Sequence, residues 1–301
     1  MTRTDWTLLL TLSVLWGGSF LFVEIALTGL PALTIVLGRV GLAALVLGAV
    51  LALRGVALPR RAWGAVLVMG FLNNVVPFTL FVLAQGRIDG ALAAIVNATM
   101  PLWTVIVAHL FTTDERITPA KAAALGLGFG GVVVMAGGAA GGEALAILFC
   151  LGAALSYGFA GVWGRRFRRM GVPPLATAFG TVAASSLLLL PLVVIVDRPW
   201  AMAWPGQGPL WAVAGLALLS TALAYLIYFR LLASAGATNL SLVTFLIPVS
   251  AVAMGVVFLG ETVLPRHLFG FALIVAGLLA MDGRVLRWAN ARMARQGRAA
   301  K

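Results

Sequence analysis

Ten runs of roughly 20 consecutive apolar residues follow one another along this chain of 301 residues, each about the length an α-helix needs to cross a ~30 Å hydrocarbon core. The pattern predicts spans at Thr7–Leu27, Ala32–Leu53, Gly64–Ala84, Gly90–Phe111, Pro119–Gly138, Glu143–Trp163, Pro174–Val196, Pro209–Leu232, Asn239–Leu259 and Pro265–Val285. The loops between them are short, so sequence neighbours are expected to pack as antiparallel hairpins. One stretch occurs twice. Gly90 to Asp114 reads GALAAIVNATMPLWTVIVAHLFTTD, and Ala237 to Glu261 reads ATNLSLVTFLIPVSAVAMGVVFLGE. A shift of 147 sets Gly90 on Ala237, Pro101 on Pro248 and Asp114 on Glu261. Gly29-Leu30-Pro31 meets Gly171-Val172-Pro173 at a shift of 142, and Pro119, Gly131, Met135 and Gly137 meet Pro265, Gly277, Met281 and Gly283 at 146. The Gly-rich patch Gly137 to Gly142 divides the spans five and five. An odd number of spans per copy forces the second copy to enter the membrane upside down. The expectation is an all-α polytopic membrane protein of ten helices, built from two inverted five-helix repeats, residues 1–140 and 141–301.

Composition agrees and charge refines it. Hydrophobic residues make up 62% of the chain and charged residues 10%, too little polar surface for a soluble domain of this size. The net charge of +12 would suit a nucleic-acid binder, so the positions of the basic residues decide. Seventeen of the 21 Lys and Arg fall in loops and tails on the side of both termini, three on the opposite side, and Arg39 inside a span. That split is a topology signal and predicts cytoplasmic termini, with the bilayer and no nucleic acid as partner. The single cysteine, Cys150, excludes a disulfide within the chain. No cleavable signal peptide is expected. Two histidines and one cysteine leave no zinc site, and there is no ATP-binding GxxxxGK[ST], no HExxH and no CxxC. His109 or His267 with a serine such as Ser19 makes no convincing catalytic pair. No enzyme, metal or cofactor is expected.

The polar and aromatic residues inside the spans carry the chemistry. At the shift of 147, Asn74, Phe78 and Phe81 of the third span fall on Thr221, Tyr225 and Tyr228 of the eighth. Spacings of four and three put each trio on one helical face. Such a stripe either lines a wet cavity or makes contacts between helices, because lipid would strand its polar end. Trp16 sits at mid-depth, where an indole N–H needs a partner or water. Asn97, Met100 and Trp103 flank Pro101, and Tyr157 and Trp163 lie on the sixth span, Trp163 near an interface where it can serve as an anchor. A pocket of aromatic walls with a few amide and hydroxyl groups suits zwitterionic or flat organic solutes. Pro101 and Pro248 are either hinges for alternating access or static kinks. Glu24 and Arg39 come at similar depths and are expected to pair, with proton coupling through Glu24 as the other reading. Glu261 is expected to cap a neighbouring helix N-terminus.

Trp16-Gly17-Gly18-Ser19-Phe20, the small-residue-then-proline stretches Gly90 to Pro101 and Ala237 to Pro248, and Gly260-Glu261 followed by Gly270 and Gly277 resemble the EamA-type permeases of the drug/metabolite transporter superfamily. The chain is most similar there to the bacterial aromatic amino acid exporters of the YddG type. The resemblance implies a cavity lined by the first, third, fourth, sixth, eighth and ninth helices of a bacterial inner-membrane transporter. It also implies export of aromatic or bulky apolar amino acids. Trp16, Phe78, Trp103, Tyr157, Tyr225 and Tyr228 would then contact side chain and ammonium, and Asn73, Asn74, Asn97 and Thr221 the carboxylate and amine. The competing expectations are a multidrug or nucleotide-sugar permease and a membrane-embedded enzyme. One chain carries both repeats, so a monomer can form the pathway.

Overall fold

The computed structural model describes residues 1–113 and 115–282. Asp114 at the end of the first repeated stretch, Gly283, and the basic tail from Arg284 lie outside the described residues. Ten helices cross the molecule: α1 (Arg3–Leu27), α2 (Ala32–Leu53), α3 (Arg60–Gln85), α4 (Gly90–Phe111), α5 (Pro119–Ala136), α6 (Gly141–Arg169), α7 (Pro174–Ala201), α8 (Gln207–Gly236), α9 (Val243–Leu259) and α10 (Pro265–Met281). Eight are long and apolar enough to span a membrane; α9 and α10 are shorter. Capping sets several ends. Thr2 accepts from Asp5 N (3.1 Å) and Asp5 from Thr2 N (2.7 Å) at the start of α1, a reciprocal box that satisfies two amides. Apolar side chains such as Leu45, Val133, Val257 and Phe258 are exposed, as they are where lipid is the solvent.

The hairpin expectation fails. The extensive packing pairs are α1 with α8 and α9, α2 with α7 and α8, α3 with α6 and α7, α4 with α6 and α9, and α5 with α10. Every one joins a helix of the first half to a helix of the second. Short loops fix only where helix ends meet; the faces that pack are set by small residues, because lipid supplies no hydrophobic force between helices. The glycines show this. A Cβ on Gly17 of α1 would lie 2.8 Å from Ala251 N of α9, and one on Gly158 of α6 would lie 3.0 Å from the Trp103 carbonyl carbon of α4. Gly38 of α2 meets Val213 of α8 as Gly180 of α7 meets Val66 of α3. A Cβ on Gly131 of α5 would lie 2.5 Å from Gly270 O, and one on Gly277 of α10 would lie 2.6 Å from Ala124 O. Each crossing recurs at offsets of 141 to 148 residues with the halves exchanged, so the five-helix repeats interdigitate.

The helices are not uniform. Wide five- or six-residue π turns occupy Phe71–Val75 of α3 and Leu218–Leu223 of α8, 147 residues apart. Others end α7 at Val193–Asp197 and α9 at Gly255–Leu259. Helix α4 breaks at Ala98–Thr99 and restarts at Met100 with Pro101 as its second residue, whereas Pro248 sits within the continuous segment Val243–Met254. The two matched prolines thus occupy different local geometries.

Replacing Gly277 by Val should destabilise the α5–α10 crossing by about 1–3 kcal/mol through overpacking, read as a lower melting temperature in detergent. Gly126→Val on α5, where a Cβ meets nothing within 4 Å, should change stability by less than about 0.5 kcal/mol.

Candidate substrate site

The π turns build the polar centre. Where α3 widens, Leu72 O accepts from Ser156 Oγ of α6 (2.6 Å) and Gly70 O from Ser185 Oγ of α7 (3.1 Å). Where α8 widens, Thr221 Oγ donates to Leu216 O, five residues back (2.8 Å). A π turn frees carbonyls from the i→i−4 ladder, and hydroxyls from neighbours take them. Asn74 donates to Ser185 Oγ (3.0 Å) and is wholly buried. Thr221 accepts from Arg39 Nε of α2 (3.0 Å) and is also buried. Asn74 and Thr221 are therefore sealed braces between helices. Their neighbour Asn73 is half-buried, donating from Nδ2 to Asn74 Oδ1 (3.0 Å) and to the Tyr225 hydroxyl (3.3 Å).

Arg39 forms the hub. Its guanidinium carbon lies 3.7 Å from the centroid of the Phe78 ring, and the hydroxyls of Tyr157 and Tyr225 are within its electrostatic reach. Two runs of aromatic rings lead away from these tyrosines, one with Tyr157 stacked on Phe81 (6.3 Å) and Phe81 edge-on to Phe20 (5.8 Å), the other with Tyr225 near Phe229 (6.3 Å), Phe229 edge-on to Tyr228 (5.2 Å), and Tyr228 near Trp16 (5.7 Å). Thr221, Tyr225, Tyr228 and Leu232 follow at spacings of four, three and four on one face of α8, a rise of about 16 Å. Tyr228 and Leu232 also wall a cavity of about 570 Å³ with Glu115, Gly164, Arg165, Arg168 and Arg169. That cavity opens on the side of the membrane that holds the N-terminus, where a second one of about 490 Å³ runs between α3, α4 and α6 past Trp163 and Arg166.

On the opposite side, polar contacts tie helix ends together. Gln85 Nε2 at the end of α3 donates to Phe20 O (2.9 Å) and Glu24 Oε1 (3.1 Å). The Glu261 carboxylate accepts from Gly90 N (3.2 Å) and Ala91 N (2.9 Å) at the start of α4, the helix cap its position suggested. Burial pushes the Glu261 carboxyl above the usual carboxylate range, against the pull of the two amides. The expected Glu24–Arg39 pair does not form. Glu24 ends on Gln85 and Arg39 on Thr221, because Glu24 lies three residues from the outer end of α1 whereas Arg39 lies seven from that of α2, about 6 Å deeper.

Other expected residues sit apart from the hub. Trp163 donates its indole N–H to Ala65 O (3.0 Å) beneath Arg166, tying α6 to α3 near the N-terminal side. Trp103 packs edge-on against Phe129 of α5 (4.9 Å), and its Nε1 is buried without a hydrogen-bond partner among the described residues, as is Asn97 Oδ1. Met100 and Pro101 are half-buried on α4. Phe20, Gln85, Ser185 and Phe229 were not singled out from sequence. Gln85 carried the one available signal, an amide at the end of an apolar run.

Residues 6–137 and again 144–281 match the family model described as the EamA-like transporter family. The chain is 27% identical over 281 residues to the "Uncharacterized inner membrane transporter YedA" of Escherichia coli K12, covering 92% of this chain and 90% of that one. It is 26% identical over 299 residues to the "Probable terminal-alkyne amino-acid exporter" of Streptantibioticus cattleyicolor, covering 95% of each. A solved structure, titled only "Crystal structure of protein", superposes with a TM-score of 0.65 at 22% identity, covering 93% of this chain and 98% of the other, a likeness of fold.

Since the folded-state pKa of Glu261 is raised, its carboxyl stabilises the fold fully below the ordinary carboxylate value, and that contribution is lost as pH rises through the raised value. The melting temperature of the wild type, measured relative to Glu261→Gln, should therefore decline from pH 4 upward. A flat difference would show that the amides, not burial, govern this group.

Proposed function

The chain belongs to the EamA-like transporter family, and from that premise we propose that it exports small amphipathic amino acids with aromatic or bulky apolar side chains by alternating access. The observation that carries the reading is the mid-depth column of Trp16, Tyr157, Tyr225 and Tyr228, drawn from both halves and set beside the Asn73 amide. Aromatic faces take an apolar side chain or an ammonium equally well, and a single amide supplies direction. The relative named as a probable amino-acid exporter points the same way, as does the resemblance to YddG-type exporters.

The Lys and Arg split assigns the N-terminal side to the cytoplasm, and the membrane is then the bacterial inner membrane, as in the printed name of YedA. The cavity that reaches Tyr228 from that side, together with the Gln85–Glu24 and Glu261–Gly90 contacts opposite, supports reading this as the loading state of an exporter. Inverted repeats of residues 1–140 and 141–301 supply the opposite state when the two copies exchange conformations, with Pro101 and Pro248 beside the moving segments. One chain suffices, as a monomer.

In proteoliposomes holding the full chain, uptake of labelled phenylalanine should exceed that of threonine and of a cationic dye. Tyr225→Ala should lower phenylalanine flux by about tenfold, the loss expected for one aromatic contact of about 1.5 kcal/mol. Flux of the dye without flux of any amino acid would assign the protein to drug transport. A C-terminal epitope that antibodies reach in intact cells would reverse the orientation.

A further inference from the structure

Arg39 lies about 10 Å into the bilayer from the N-terminal end of α2, at 1.5 Å per residue from Ala32. No carboxylate among the described residues pairs with it. Its Nε is committed to Thr221 and one face to Phe78. The two terminal amino groups hydrogen-bond to no described residue, yet they are not sealed, for the side chain keeps accessible surface although protein surrounds it. A guanidinium fixed in this way presents its outer edge as a planar fork of N–H donors, the geometry that matches a carboxylate with two parallel hydrogen bonds.

Two of the groups expected to bind a carboxylate are otherwise engaged, since the Asn74 amide is spent on Ser185 and the Thr221 hydroxyl on Arg39 itself. Asn73 differs. Both of its bonds run from Nδ2, and no described residue donates to its Oδ1, which leaves an acceptor suited to an ammonium.

We propose that Arg39 binds the carboxylate of the transported solute through its two terminal amino groups, with the ammonium at Asn73 Oδ1 and the side chain against Tyr157 and Tyr225. This deepens the amino acid reading and rests on it. The site then selects for a carboxylate first, and amines or dyes that lack one are poor solutes. Were Arg39 only a brace between α2 and α8, its replacement would weaken transport of every solute alike.

Three solutes of one shape separate these roles in proteoliposomes: L-phenylalanine, L-phenylalaninamide, which lacks the carboxylate, and 3-phenylpropanoate, which lacks the ammonium. For the wild type, phenylpropanoate should inhibit phenylalanine uptake, and phenylalaninamide should do so about 10- to 100-fold more weakly, the cost of a lost charged bidentate contact. Arg39→Gln should reduce phenylalanine uptake to the level of the amide and abolish inhibition by phenylpropanoate while phenylalaninamide uptake persists. Arg39→Lys should restore part of it. Equal inhibition by the amide and the acid in the wild type overturns the proposal whether or not the variant folds, and so does an equal loss for all three solutes in a folded variant. Phenylalanine flux that ignores the carboxylate sinks this inference and leaves the amino acid reading standing; absence of phenylalanine flux sinks both.

Discussion

A charge or a free carbonyl inside hydrocarbon must find its partner in protein, and the centre of this molecule is a chain of such obligations. The π turns of α3 and α8 release carbonyls; Ser156, Ser185 and Thr221 take them; Thr221 in turn receives Arg39. Inserting an arginine at the helix centre costs about 2.5–3.5 kcal/mol on the insertion scale. A hydrogen bond from a charged donor returns about 1.5–3 kcal/mol and a desolvated cation–π contact about 2 kcal/mol. The two together offset the cost, so the arginine is held without an acid and keeps its outer donors. Removing the α8 π turn would dissolve the arrangement, since Thr221 would lose its bond to Leu216 O and turn away from Arg39.

Packing follows from the same solvent. Where lipid tails are as apolar as leucine, helices gain by backbone approach, and the glycine crossings at Gly17, Gly158, Gly38, Gly180, Gly131 and Gly277 lock every helix of one half onto the other. Rocking one half against the other as a rigid body would break all of these crossings together. The interruptions lie elsewhere, at Phe71–Val75, Ala98–Thr99, Leu218–Leu223 and Gly236. These interruptions, rather than the crossings, divide α3, α4 and α8 into separate segments.

Much of this was legible in the sequence and some was not, for reasons that separate cleanly. Ten spans and the 147-residue echo follow from hydropathy and simple alignment, because crossing length and duplication are written along the chain. Which face of a helix meets which neighbour is not, because it depends on rotation about the helix axis and π turns shift that rotation. Hence Glu24 and Arg39 read as a pair from depth alone, and Trp103 read as a cavity wall although it turns to Phe129. Asn74 and Thr221 follow the second reading of the stripe, contacts between helices, whereas Asn73 and Tyr225 are half-buried. The hairpin expectation failed because loop length says where a helix ends and nothing about its packing partner.

The duplication also explains why the charge lies to one side. Offsets of 142 and 147 carry the α2–α8 crossing onto the α7–α3 crossing, setting Arg39 on Thr181 and Thr221 on Asn74. In the second crossing Asn74 bonds Ser185, which itself donates toward Gly70 O and Thr181 O; every partner is neutral and the cluster is shut. In the first, a guanidinium stands in place of a threonine and its outer edge remains accessible. One ancestral brace thus exists in two versions, a closed neutral one and an open cationic one. On the proposed reading, this difference lets a symmetric scaffold take an asymmetric solute, with its acid end off the pseudo-twofold axis, on the α2–α8 side.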